Sequence, residues 1–291
     1  MRTYVTLLLS VALSLPMTAC SEKSTGADIE GVGTHKKEQV NIIGQVTCEG
    51  KGIANAVVSD GVEVVKTNDN GEYSLLSKKK YGYVFISIPS GYETTVIGNQ
   101  PQFFKRLSTK DTNITEKVDF KLNKENNEKH AVLAMADFHL AKRNNDINQF
   151  ESVAADINQT AQELRSQGYK VYGISLGDES WDGFWYSNNY GIKETFLELQ
   201  KIEIPFFHCM GNHDNDPYFP DDRKAEDEWI KICGPVYYSF NAGNVHYIII
   251  DDIQYLNAGA SQGTIGQRNY NETVIPEELA WLKKDLASIQ D

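Results

Sequence analysis

Cysteine is scarce and badly spaced for a framework. Of the 291 residues only four are cysteine (Cys20, Cys48, Cys209 and Cys233), and no two stand in a CxxC spacing. Setting Cys20 aside leaves an odd number, which excludes both a disulfide scaffold and a zinc ribbon. Basic residues are also short: 28 Lys and Arg face 40 Asp and Glu, a net charge of -12. That balance repels phosphate backbones, so no nucleic-acid binding is expected. It repels any anionic substrate as well, unless a bound cation reverses the local field. Apolar residues still make up 41% of the chain, enough for a substantial core.

The longest apolar run, Val5 to Pro16, is too short for a comfortable membrane span and follows Arg2, the pattern of a targeting segment. Leu15-Pro16-Met17-Thr18-Ala19-Cys20 resembles a bacterial lipoprotein cleavage site. Residues 1–20 are therefore expected to be a signal peptide, with lipidation at Cys20 anchoring the protein to a membrane of the cell envelope. Residues 21–39 hold hardly any large apolar side chain and predict a flexible tether.

From residue 40 to 123 short β-rich runs alternate with turn signals such as Asn68-Asp69-Asn70-Gly71 and Pro89-Ser90-Gly91. The pattern predicts a small β-sandwich. Asp60 and Asp69 are read as turn residues rather than a calcium loop. The stretch from Gly44-Gln45-Val46 through Gly52-Ile53-Ala54 to Gly71-Glu72-Tyr73 resembles the transthyretin-like or carboxypeptidase-regulatory-like module. Lys121 to His130 is polar and Asn-rich, a linker signature.

After that the period changes. Apolar strand-length runs at 131–136, 171–176 and 204–210 alternate with helical patterns at 147–164 and 193–201. Asp146 is the expected N-cap of the first helix and Gly168 its stop. A strand pair across Asn241-Ala242-Gly243-Asn244 follows. A last helix, Pro276 to Ile289, is expected to bury Leu279, Leu282 and Leu286. The alternation predicts a layered α/β sheet.

Three strands of this second region end in polar residues: Asp137-Phe138-His139, Gly177-Asp178 and Gly211-Asn212-His213-Asp214. Strand ends on one edge of an α/β sheet meet on a common rim, and strand alternation puts Asp137 and His139 on one side with Phe138 on the other. Carboxylate, imidazole and amide oxygen without thiolate suit Mn, Fe or Zn, and Asp178 could bridge two ions. Two ions about 3.5–4 Å apart would generate a hydroxide and clamp a transferring phosphoryl group.

The ordered set resembles the calcineurin-like metallophosphoesterase family. The resemblance implies that Asp137 and His139 bind a first metal, Asp178 bridges, and Asn212 binds a second. It implies that His213 contacts the phosphate and protonates the leaving group, with Asp214 orienting it. Residues 131–291 are then expected to form the front of a two-layer β-sandwich flanked by helices. They carry no Gly-His-x-His, so the domain is expected to be incomplete at its C-terminus and weakly active or inactive. The expected substrate is a small phosphomonoester, phosphodiester or phospholipid-type ester. The alternative is a non-catalytic cell-surface binding module on a degenerate phosphoesterase scaffold. Asp182 is open between supporting the site and simple solvation. Trp181, Phe184, Trp185 and Tyr186 are read as packing residues before a substrate pocket. The glycine-bearing stretch from Asp251 to Tyr270 is read as a loop at the site rim. His208 and His246 are read as packed strand residues.

Overall fold

The computed structural model describes residues 39–289, so Cys20, the signal peptide and nearly all of the expected tether lie outside the described residues. The described part opens with a β-rich region of several sheets. Its first strand, Ile42–Cys48, alternates as a half-buried strand must: Ile42, Gly44, Val46 and Cys48 are buried, and Ile43 faces out. It pairs parallel with Glu116–Lys117 and Phe120–Lys124 and antiparallel with Glu72–Leu75. A second sheet runs in the order Phe104–Arg106, Tyr83–Ser87, Val57–Ser59, Val64–Lys66.

Tyr83–Ser87 is buried at every position, so both of its faces must be covered. The second cover comes from the C-terminal half of the chain. Phe85 meets the Trp281 ring edge-on at 6.0 Å, and the Ser87 and Ser239 hydroxyls lie 2.9 Å apart. Ile88 forms a parallel bridge with Phe240. The expected linker takes part in this seam. Asn127 is buried, and its Oδ1 accepts from the N–H groups of Gly91 and Gly243. Contacts gather the described residues into a single compact unit.

A mixed α/β region follows. His130–Met135, Lys170–Ser175 and Phe206–Phe207 form a parallel sheet in that order. The third strand is much shorter than the apolar run that predicts it, because Ile204 and Met210 are buried without pairing in the ladder. Helix Asp146–Ser166 lays Phe150, Ala154, Ile157 and Ala161 on the sheet and leaves Val153 exposed. Asp146 is its first residue, not its cap; its carboxylate accepts from Ala141, Arg143 and Ile147 N–H, which satisfies amides at the positive end of the helix. Gly168 stops the helix at φ 83°, a conformation that costs glycine little.

The last helix, Pro276–Ser288, buries Glu278, Trp281 and Asp285, whereas Leu279 and Leu286 stay exposed and only Leu282 packs against the core. Each polar group on the inner face has a partner. Trp281 Nε1–H donates to Ser59 Oγ at 3.1 Å, Asp285 accepts from Ser239 and pairs with His246 Nε2, and Glu278 accepts from Asp251 N–H. A helix chosen by leucine spacing is thus turned over by hydrogen bonds. Among the described residues no helix is long and apolar enough to cross a membrane.

Two outcomes follow from this packing. Trp281 is fully buried between Phe85 and Tyr237, so Trp281→Ala is expected to lower unfolding free energy by about 3–5 kcal/mol in urea titration. Burial pushes the carboxyl of Glu226 up to about 8, with Asp251 adding to it, and pushes Glu278 likewise to about 8, both from an ordinary 4.5. The folded chain therefore holds protons that the unfolded chain has released. Their contribution to stability is full below about pH 4.5 and is lost as pH rises to about 8. Melting temperature at constant ionic strength should fall across that window, and less steeply in Glu278→Gln; equal slopes would contradict the assignment.

Candidate metal centre

The parallel register of the first two strands, which sets Met135 beside Ser175, carries on beyond the strands. Asp137 N–H donates to Gly177 O at 3.2 Å, His139 N–H to Asp178 O at 3.0 Å, and Leu140 N–H to Glu179 O at 3.0 Å. Two strand-end loops are thus zipped together. Asp137, His139 and Asp178 all sit in the left-handed region, at φ 59°, 47° and 55°. Each such residue costs about 1–3 kcal/mol and persists only where its surroundings hold it. Between Asp137 and His139, Phe138 turns away and packs edge-on against Phe150 at 5.2 Å.

The third loop docks on the second. His213 N–H donates to Asp178 Oδ1 at 3.0 Å, and Gly211 passes so close that a Cβ there would lie 2.3 Å from Asp178 Oδ1. Six of the seven expected site residues converge here. His139, Asp178 and His213 each offer a ligand atom within 4.8 Å of the others, with His139 Nε2 3.2 Å from Asp178 Oδ2. Asp137, Asp178 and Asn212 share the wall of an open cavity of about 250 Å³, together with Asp252. Asp178 belongs to both groups. The fifth and sixth, His213 and Asp214, part company in what they touch, and Cys20, the seventh, lies outside the described residues.

Asp214 does not orient the His213 ring. Its carboxyl is buried and accepts from Gly211, Glu179 and Ser180 N–H and from the Ser180 hydroxyl, at 3.0, 3.2, 2.7 and 2.8 Å. Burial, with the nearby Glu179 charge, pushes it up to about 8. The ring belongs instead to Asp182, whose Oδ1 lies 2.9 Å from His213 Nδ1. That bond raises the His213 pKa above its ordinary value. Asp182 is itself buried and also accepts from Gly183 N–H, from Arg268 Nη1 at 2.9 Å and from Tyr255 Oη at 3.2 Å.

Tyr255 and Arg268 lie on a hairpin, Ile253–Leu256 paired with Asn269–Glu272; the stretch read as a rim loop is partly ordered strand that reaches the site. The aromatic cluster divides. Trp185 is buried and donates from Nε1 to Ser180 Oγ, whereas Trp181 sits on the rim, 4.9 Å from the His139 ring and 5.5 Å from that of His213. The Arg143 guanidinium stacks on Trp181 at 3.7 Å, a cation–π contact. Arg143 and Arg268 supply local positive charge on an acidic protein, and nothing in their sequence spacing marks them. The other described histidines are engaged elsewhere: His130 with Asn127 and Tyr247, His208 with Glu179, His246 with Asn241 and Asp285.

Gly211→Ala should push Asp178 out of place. The expected result is a lower melting temperature and Mn²⁺ affinity reduced at least about tenfold by calorimetric titration; wild-type affinity would show that the close approach is dispensable.

Residues 40–125 match the family described as N terminal of Calcineurin-like phosphoesterase (MetallophosN). The match links the β-rich region to the N-terminal family of calcineurin-like phosphoesterases, which are metal-dependent, and does not extend over the rim residues. Neither the curated proteins nor the solved structures contain a match.

Proposed function

We propose that the rim is the metal-binding part of a phosphoesterase that hydrolyses a phosphomonoester or phosphodiester. The observation that carries this reading is the place of Asp178, common to a His-rich group and to an Asp/Asn-lined cavity. The donor set is nitrogen and oxygen alone, which fits Mn, Fe or Zn. Asp137, His139 and Asp178 would hold one ion, and Asp178 and Asn212 a second. Bound divalent ions supply positive charge to an acidic surface and make water acidic enough to yield a nucleophile near neutral pH.

The chain's own groups do the positioning. Asp182 takes Nδ1 of His213, which leaves Nε2 as the ring atom that can contact the phosphoryl group and pass a proton to the leaving oxygen. Arg143 and Arg268 would draw the anionic substrate to the rim. Trp181 offers a flat apolar edge to the alcohol portion of the ester, which suits a small aromatic or phospholipid-type leaving group. In the same reading residues 40–123 form a β-sandwich, residues 131–289 the front of a two-layer sandwich flanked by helices, and Cys20 the lipid anchor in the cell envelope.

The purified full chain should bind Mn²⁺ and hydrolyse a chromogenic bis-phosphoester slowly, above the rate of the metal-free protein. Asp178→Ala should abolish both. Binding and turnover unaffected by Asp178→Ala would end this reading. Asp182→Asn should cut turnover about 10–100-fold while the fold, followed by circular dichroism, is kept.

A further inference from the structure

Directly behind the rim lies a second group of donors, closed off from solvent. Glu179 follows Asp178 in the loop after Lys170–Ser175, His208 follows strand Phe206–Phe207, and Cys233 ends helix Asp227–Ile232. Their exposures are 0%, 4% and 3%, and one ligand atom from each lies within 4.8 Å of the other two. The rings of Phe196, Phe206 and Trp229 surround His208 at 5.3, 4.9 and 6.3 Å. This is a buried cluster built from three separate parts of the chain.

Its polar groups are left short of partners. Glu179 Oε1 meets His208 Nδ1 at 2.8 Å, but Glu179 Oε2 and His208 Nε2, both buried, have no hydrogen-bond partner. Among the described residues no lysine or arginine pairs with Glu179, and another buried carboxyl, Asp214, lies beside it. An isolated carboxylate in such a place is expensive, and a proton shared with one imidazole still leaves two polar atoms unpaired. Packing alone gives no reason to assemble a carboxylate, an imidazole and a thiol here.

We propose that Glu179, His208 and Cys233 form a second metal site, distinct from the rim, that takes one thiophilic divalent ion of the zinc type. One carboxylate, one thiolate and one neutral imidazole balance a doubly charged ion, so the pocket carries no net charge when filled. Zinc bonds of about 2.0–2.3 Å to N, O and S set tetrahedral donors about 3.3–3.8 Å apart, within the spread observed here. The ion takes the place of the proton that Glu179 and His208 share; that proton and the Cys233 thiol proton both leave to solvent, while His208 keeps its Nε2 proton and stays neutral. The thiolate separates this site chemically from the rim, where the expected ligands are nitrogen and oxygen. Its place is structural. Glu179 N–H is tied to Asp214, and His208 O accepts from Tyr238 Oη at 2.8 Å, so an ion here braces the loop that presents Asp178. The assignment does not depend on whether the rim hydrolyses esters.

The test uses Co²⁺ as the probe, supplied to the full chain during expression or refolding. A thiolate-to-cobalt charge-transfer band is expected at one equivalent. X-ray absorption at the cobalt edge should show one sulfur scatterer at about 2.3 Å. Cys209 lines the rim cavity and is the competing source of sulfur, so the band must survive Cys209→Ser and vanish in Cys233→Ser. A band lost with Cys209 and kept without Cys233 would overturn the proposal, as would a wild-type chain with neither band nor sulfur scattering. Should Cys233→Ser fail to fold, sulfur scattering in the folded Cys209→Ser chain decides: its presence supports the site and its absence overturns it.

Discussion

The Asp214 carboxyl sits buried between two loops and takes four hydrogen bonds from Gly211, Glu179 and Ser180. Without it, the loop after the second parallel strand and the loop after the third would have separate positions. With it, Asp178 is fixed against the His213 amide, and the zipper from Asp137 to Leu140 brings the first loop into the same frame. Three left-handed residues are held by this arrangement, and their strain is plausible only because the hydrogen bonds around them are redundant. Burial keeps the Asp214 carboxyl protonated to about pH 8, so the clamp costs little of the charge desolvation that an ionised carboxylate would impose.

The β-rich region contributes in a different way. Its fully buried strand Tyr83–Ser87 is covered on its far side by Phe240, Tyr237 and Trp281, all from the last quarter of the chain. Short polar groups repeat along that seam: Ser59 is bonded to Trp281 and Ser87 to Ser239 across it, and Asp285 accepts from Ser239 on the C-terminal side. Apolar burial supplies the attraction, and these bonds select one alignment of the two surfaces.

Much of this was legible from residue pattern, and the failures have definite causes. Strand-end polar residues point to the rim because sheet direction is a strong constraint; strand alternation is not what places Asp137 and His139, which lie beyond the strand in the left-handed region. The length of the third strand could not be read, since burial without pairing looks the same as burial in a ladder. The resemblance implies that Asp214 orients His213, whereas in the 3-10 turn over Asn212–Asp214 the Asp214 carboxyl binds Gly211, Glu179 and Ser180 and the His213 ring binds Asp182. Asp182, left open between support and solvation, is the residue that meets the ring. In the final helix leucine spacing describes only one face. Its inner face carries two carboxylates whose partners are distant in sequence, and no local pattern could announce them. Arg268 is invisible for the same reason: it lies 86 positions from Asp182.

The seam also bears on how such a chain could have been assembled. The family match ends at residue 125, but the core runs without interruption from Ile42 to Trp281. A recombination event at that border would transplant Phe85 without Trp281 and Ser87 without Ser239. The two regions would therefore be inherited together, and divergence in one would be matched by compensating substitutions in the other. The unit that packing holds together is the pair of surfaces, not either region alone.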